Sequence, residues 1–346
     1  MTANRTTLTR RDFLKNACLA GAAVTAATAA GGLFPLDALA SPGKPPVRQQ
    51  TRLLMGTVVT LTAVTDDSSR ADAAFSLAFG EMERLIAVFD RHSGDTAIGR
   101  LNACGSLSAA PVELIDVLGR ALALGKATNS AFNPAVTPVV ELFEAARDAR
   151  APLPGFSDSA LKERLALADP GAIRVDASGM IRLEKTGMRL TLDGIAKGYI
   201  ADAASSVMTA QGLTNHMVNA GGDIRVSGAP GPGKVWTVGI QHPGKAAALL
   251  SAVPVAGGGI ATSGSYENPY DRSRNRHHLI SHLTGKSADI TSVTVRASNA
   301  AQADALATAL ALMPTAEALR FADATPRASC LIVDRQGHCF ASREWG

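Results

Sequence analysis

The sequence predicts an α+β fold built from antiparallel sheets and a few long helices. Strand-like runs of β-branched and apolar residues recur at 53–64, 181–184, 217–219, 236–240, 290–295 and 330–333. Apolar residues at helical spacing mark long helices, clearest at 71–89. The two kinds of segment do not alternate regularly, as a doubly wound parallel sheet would require.

The N-terminus carries Thr9-Arg10-Arg11-Asp12-Phe13-Leu14-Lys15, an Ala- and Gly-rich apolar run over 17–34, and Ala38-Leu39-Ala40 before Ser41. An arginine pair followed by Phe, Leu and Lys, a short apolar stretch and small residues at the junction reads as a twin-arginine export signal cleaved near Ala40. Cys18 stands before the apolar run, whereas a lipoprotein cysteine would follow it. The expectation is a periplasmic, soluble mature protein. Residues 41–50, Ser-Pro-Gly-Lys-Pro-Pro-Val-Arg-Gln-Gln, read as a linker, and one domain is expected over 51–346.

Within that domain, 53–64 alternates in strand fashion, and Phe75, Phe79, Met82, Leu85, Ile86 and Phe89 place a helix over 71–89. Val112, Ile115, Leu118 and Leu122 mark another helix. A polar, Pro-bounded stretch from 152 to 171 interrupts the pattern, with a helical insertion around 161–167. Further helices are predicted at about 195–211 and 298–313, and Asp334-Arg-Gln-Gly337 as a hairpin turn into 339–341.

The chain of 346 residues carries a formal charge of +4. The signal holds four basic and two acidic residues, so the mature chain keeps +2. Lys and Arg are scattered and only 4% of residues are aromatic, so no nucleic-acid surface is expected. Cys104, Cys330 and Cys339 are an odd number without Cys-x-x-Cys, which argues against a disulfide scaffold and a zinc site; pairing of Cys330 with Cys339 stays open.

Five motifs follow in order: Leu192-Asp-Gly-Ile-Ala-Lys-Gly-Tyr-Ile-Ala-Asp202, Asn219-Ala-Gly-Gly-Asp223, Ala261-Thr-Ser-Gly-Ser-Tyr266, His278-Leu-Ile-Ser-His-Leu-Thr-Gly285 and Ala303-Asp-Ala-Leu-Ala-Thr308. Taken singly they are weak. Asp304 and Thr308 are four apart, so a helix sets their oxygens on one face, which suits a hard cation such as Mg²⁺, although spacing alone favours a solvated Asp and a Thr bonded to its own helix. Lys197 near a helix start, among backbone N–H groups, suits an anion. The Gly221-Gly222 pair lets backbone approach a flat ligand closely.

As an ordered set these motifs resemble the ApbE-type FAD:protein FMN transferases, over essentially the whole chain after residue 50. The resemblance implies a T-fold-like mixed architecture. It implies Mg²⁺ held by Asp304, Thr308 and the backbone carbonyl of Gly194, and flavin-nucleotide contacts from Lys197, Gly221, Gly222, Asp223, Ser263, Ile280 and Thr284. Met55, in Met55-Gly56-Thr57, matches a residue that packs on FAD, and Phe132-Asn133-Pro134 a segment bordering the adenine. Phe89-Asp90-Arg91 through Asn102 matches a further segment, with Thr96 where Ser is usual. The chain departs at Thr191, where Asp is usual, and at Ser281-His282, which replaces Asp-Pro. His278 is the first choice for a general base, and the altered loop leaves His282 as the other candidate.

The implied activity is Mg²⁺-dependent transfer of FMN from FAD to a Thr or Ser hydroxyl of a redox protein bearing a D-x-x-[ST]-G-A-[ST]-like segment, with AMP released. Membrane contact would come only through that acceptor. The rival readings are an FAD-binding carrier of the nitrous oxide reductase assembly type, which would keep FAD without transfer, and an FAD pyrophosphatase, which would release FMN and AMP with no acceptor.

Overall fold

The computed structural model describes residues 46–148, 158–243, 248–266, 269–270 and 276–345; the stretch read as an export signal lies outside them. The run read as one strand over 53–64 is a hairpin of β1 (Val47–Leu54) and β2 (Thr57–Val64). Its two-residue turn places Met55 at φ 53° and Gly56 at φ 68°. Two left-handed residues in sequence match the twist of a tight hairpin. Methionine at such a position gives no turn signal, so the apolar alternation reads straight through it. Strand β1 also begins four residues inside the stretch whose composition reads as linker, because Val47 to Gln50 pair in register with Val64 to Leu61.

Next come α1 (Ser68–Phe89), capped by the Asp67 side chain, α2 (Ala97–Cys104), capped by Thr96, the short β3 (Ser106–Leu107) and α3 (Val112–Ala127). Helices α4 (Thr137–Asp148) and α5 (Asp158–Leu167) follow, then β4 (Ile173–Val175) and β5 (Ile181–Leu183), which join β3 in a three-stranded sheet. The expected insertion helix is α5, and residues 149–157 before it lie outside the described residues.

Helix α6 (Asp193–Ala210) leads into β6 (His216–Ala220) and β7 (Asp223–Ser227), then β8 (Trp236–Gln241), β9 (Leu249–Val255) and β10 (Gly258–Gly264). The chain closes with β11 (Ser292–Ala297), α7 (Ala300–Ala311), α8 (Thr315–Ala324), β12 (Ser329–Val333) and β13 (Cys339–Ala341). Cys330, buried in β12, and Cys339, exposed on β13, are both free thiols. Among the described residues no helix is long and apolar enough to cross a membrane.

The main sheet runs β1-β2-β6-β7-β10-β11-β12-β13, and every neighbouring pair is antiparallel. Alternate residues of a strand point to opposite faces, and the burial follows that rule. Val59, Leu61 and Val218 face a helical layer of α1, α6 and α7 through Phe75, Phe79, Met82, Ile200 and Ala204. Met217, Val226 and Ile260 face the other way, against Trp236, Val238 and Val253 of the β8–β9 hairpin. Each fully buried Phe of α1 contributes on the order of 2–3 kcal/mol of apolar transfer, so Phe79→Ala would cost about 3–5 kcal/mol. Helix α7 is almost entirely alanine on its packed sides, which lets α6 and the sheet approach it closely and sets up the site.

Candidate active site

A cavity of about 410 Å³ opens where the N-terminus of α6, the middle of α7, the end of β10 and the loop after residue 276 converge. Helix α6 has no side-chain N-cap, and Gly194 departs from helical geometry at φ −87°, ψ 15°. Lys197, one turn on, reaches across to the first residue of β7, where its Nζ lies 2.6 Å from Asp223 Oδ2.

From α7, Asp304 and Thr308 project one turn apart, as the four-residue spacing predicts. Asp304 is 4% exposed and its Oδ2 accepts the Gly198 N–H at 3.1 Å. Burial, then the neighbouring Asp223 carboxylate, pushes the Asp304 pKa well above the usual carboxylate range, while Lys197 and the Gly198 N–H oppose the shift. Thr308 Oγ1 stands 3.3 Å from Ser263 Oγ on β10. A Cβ added to Gly194 would lie 2.8 Å from Thr308 Oγ1, so backbone and hydroxyl are in direct apposition.

The far wall is the loop that carries His278, Leu279 and Ile280 into the cavity. Ladder bonds from Ala288 N–H to Leu279 O, 2.9 Å, and Ser281 N–H to Lys286 O, 2.9 Å, fold it back on itself. His282 does not line the cavity; burial alone lowers its pKa. Buried Phe132 and Asn133 form another wall. Both ends of the Asn133 amide are engaged, donating to Ala168 O at 2.9 Å and accepting from Ala135 N–H at 2.8 Å, so it shapes the wall rather than reaching outward.

Four predicted contacts lie off the cavity lining. Met55 sits in the β1–β2 turn, part-buried against the main core. Gly221 and Gly222 make the β6–β7 turn beside Asp223, where a Cβ on Gly221, at φ +69°, would collide with Thr57. Thr284 is exposed, and its hydroxyl accepts the Lys286 N–H at 3.2 Å. The structure adds Tyr270, which no motif contains, and contacts for Arg91, which the Phe89-Asp90-Arg91 segment contains without a role. Arg91, nearly buried, bridges Asp193 at 2.8 Å and Glu144 at 3.0 Å and so ties the start of α6 to α4. Tyr270 lines the cavity from beside Ile280, and its ring stacks on Phe143 of α4 at 5.9 Å. Among the described residues no three His, Cys, Asp or Glu side chains form a metal cluster. The oxygen set at Asp304, Thr308 and Gly194 is hard and sparse, which fits Mg²⁺ completed by substrate phosphates.

Residues 55–332 match the ApbE family. The chain belongs to that family. It is 33% identical to a FAD:protein FMN transferase of Treponema pallidum over 333 residues, covering 85% of this chain and 90% of the relative. It is 31% identical to the FAD:protein FMN transferase of Escherichia coli K12, covering 67% of each. The fold superposes on the ApbE protein of Thermotoga maritima with a TM-score of 0.76 at 25% identity, covering 86% of this chain and 97% of that one. The flavin transferase ApbE of Vibrio cholerae gives 0.72 at 23% identity, covering 87% and 99%. The mixed ApbE architecture, rather than a doubly wound sheet, is thus the fold of this chain.

Proposed function

We propose that this ApbE-family enzyme transfers the FMN half of FAD to a Thr or Ser hydroxyl of an acceptor redox protein, in a Mg²⁺-dependent reaction that releases AMP. The charge balance of the cavity carries the reading. Among the described residues, the lysine and arginine that line it, Lys197 and Arg91, are both already ion-paired, and they face four carboxylates, Asp193, Asp223, Asp304 and Glu144. A pyrophosphate entering such a site needs added positive charge, which a divalent ion held by Asp304, Thr308 and the Gly194 carbonyl would supply.

Around that centre the chain's own groups divide the work. Lys197, at the first turn of α6, neutralises phosphate oxygens beside backbone N–H groups. His278 takes the proton from the acceptor hydroxyl as its oxygen bonds the FMN phosphorus, and the bond from that phosphorus to the AMP oxygen breaks. Buried Phe132 and Ile280 exclude water that would otherwise compete with the acceptor. The acceptor is a membrane redox subunit with a D-x-x-[ST]-G-A-[ST]-like segment, and it makes the only membrane contact.

Intact-mass analysis of such an acceptor peptide, incubated with the mature protein, FAD and Mg²⁺, tests the proposal. One FMN phosphoryl addition on a Thr or Ser, abolished by chelation, is expected. Retained FAD without addition would point to a carrier, and FMN with AMP in the absence of acceptor to a pyrophosphatase. Export by the twin-arginine route is part of the same reading, supported by Arg10-Arg11 and Ala40-Ser41. Replacing both arginines with Lys should strand the precursor in the cytoplasm, and normal periplasmic recovery would remove that part.

A further inference from the structure

Helices α6 and α7 meet in an antiparallel register of three rungs, each four residues along both chains. At one end the Asp202 carboxylate accepts two backbone N–H groups at the start of α7, Oδ1 from Ala300 and Oδ2 from Ala301, both at 2.9 Å. In the middle, Gly198 N–H donates back to Asp304 Oδ2 at 3.1 Å. A Cβ at Gly198 would collide with Ala300 O, so the helices cross at closest approach here. At the far end Gly194 faces Thr308, with a hypothetical Cβ 2.8 Å from Oγ1. Four residues of helix rise about 6 Å, so the rungs are about one turn apart.

We infer that Asp202 is a positioning residue for the site: by anchoring the first rung it sets the register that holds Asp304 and Thr308 opposite Gly194. The inference rests on the proposed role of those three residues as the cation's ligands. Asp202 does not line the cavity. It acts through the helix it caps. The start of α7 has little other freedom, since Asn299 Oδ1 takes the Gln302 N–H at 2.8 Å and Arg225 reaches both Asp202, at 3.6 Å, and Ser298 O, at 2.9 Å. A two-oxygen cap between helices differs from an ordinary N-cap in fixing translation along the axis as well as the helix end. Sliding α7 by a fraction of a turn would leave both helices intact and separate Thr308 from Gly194.

The test is direct Mn²⁺ binding to the mature protein with FAD present, read by electron paramagnetic resonance, alongside thermal unfolding. Asp202→Asn keeps the shape but sets an amide NH₂ against a backbone N–H. It should weaken Mn²⁺ binding about 10- to 100-fold, the usual effect of losing a group that orients metal ligands, with FAD binding in chelator changed less than about 2-fold. Asp202→Glu, which keeps the charge and shifts its reach, should fall between, and stands in for Asn if that variant does not fold. Ser205→Ala, on the same helix as Asp202, serves as the matched control, because it removes the 2.7 Å bond to His216 of β6 but lies off the ladder. It should lower the unfolding temperature without moving Mn²⁺ affinity. The inference fails if the Asp202 variants bind Mn²⁺ within about 2-fold of wild type, or if Ser205→Ala weakens binding equally. If the wild type itself binds no Mn²⁺ with FAD, the ligand reading fails and takes the inference with it.

Discussion

Lys197 Nζ lies 2.6 Å from Asp223 Oδ2, joining the first turn of α6 to the first residue of β7 at the cavity. The Asp223 side chain is almost fully buried, 3% exposed, while that of Lys197 is 36% exposed, so the pair is asymmetric. Removing the lysine leaves a buried charge without its cation; removing the carboxylate leaves a cation that water still reaches. Lys197→Met should therefore destabilise the fold by about 3 kcal/mol, and Asp223→Asn by much less. The double variant should regain most of the stability but not FAD affinity, because the cation proposed to bind phosphate is still missing. Thermal unfolding and flavin fluorescence titration of all three variants check this. If the double variant recovers both, Lys197 serves only Asp223.

The loop histidines separate by position. His278 lines the cavity and His282 does not. His278→Asn should lower flavin transfer about 100- to 10,000-fold with FAD binding little changed, the usual worth of a positioned general base. His282→Asn should stay near wild type. Single-turnover transfer rates decide it, and the reverse pattern would assign the base to His282.

His216 gives the fold a pH dependence that can be read apart from catalysis. Its Nδ1–H donates to Leu213 O at 2.6 Å, and in the neutral ring Nε2 accepts the Ser205 hydroxyl at 2.7 Å. Burial lowers its pKa, opposed by the Leu213 bond. The unfolded chain then binds this proton more readily than the folded one, and stability is lost as pH falls below about 6.5, the unfolded value. The unfolding temperature should drop between pH 7 and pH 5, and His216→Gln should flatten that slope while lowering stability at pH 7. An unchanged slope in the variant would move the proton uptake elsewhere.

Parts of this molecule are legible in the sequence for local reasons. Phe75, Phe79, Met82 and Phe89 recur at helical spacing, and α1 follows from that alone. The one-face arrangement of Asp304 and Thr308 needs only a helix. The β1–β2 hairpin is illegible because Met55 occupies a left-handed position that turn chemistry reserves for Gly, Asn or Asp. Arg91, Asp193 and Glu144 meet only through packing, the partners lying 102 and 53 positions along the chain from the arginine, so no local pattern announces their meeting. The register of α6 on α7 is likewise tertiary. It depends on Gly198 fitting against Ala300, a contact 102 residues apart that spacing within either helix cannot specify.

Gly194 offers a substitution in which sterics can be separated from backbone strain. At φ −87° the position accepts any L-residue, so Gly194→Ala carries no left-handed penalty, and near a helix start it should change stability by less than about 1 kcal/mol. Its methyl would nevertheless lie 2.8 Å from Thr308 Oγ1 and 3.1 Å from Cγ2, so the threonine must turn away or the helices must part. Either movement separates the carbonyl and hydroxyl proposed to share the cation. Half-saturation by Mg²⁺ in the transfer assay should rise about 10-fold, with the unfolding temperature nearly unchanged. Thr308→Ser removes the methyl contact but keeps the closer hydroxyl, so pairing it with Gly194→Ala should recover part of the Mg²⁺ affinity. Initial rates across a Mg²⁺ titration measure both effects. A Gly194→Ala variant with wild-type Mg²⁺ dependence would take the cation away from this rung, and one whose defect Thr308→Ser leaves untouched would mean that the crowding acts through some neighbour other than the threonine methyl.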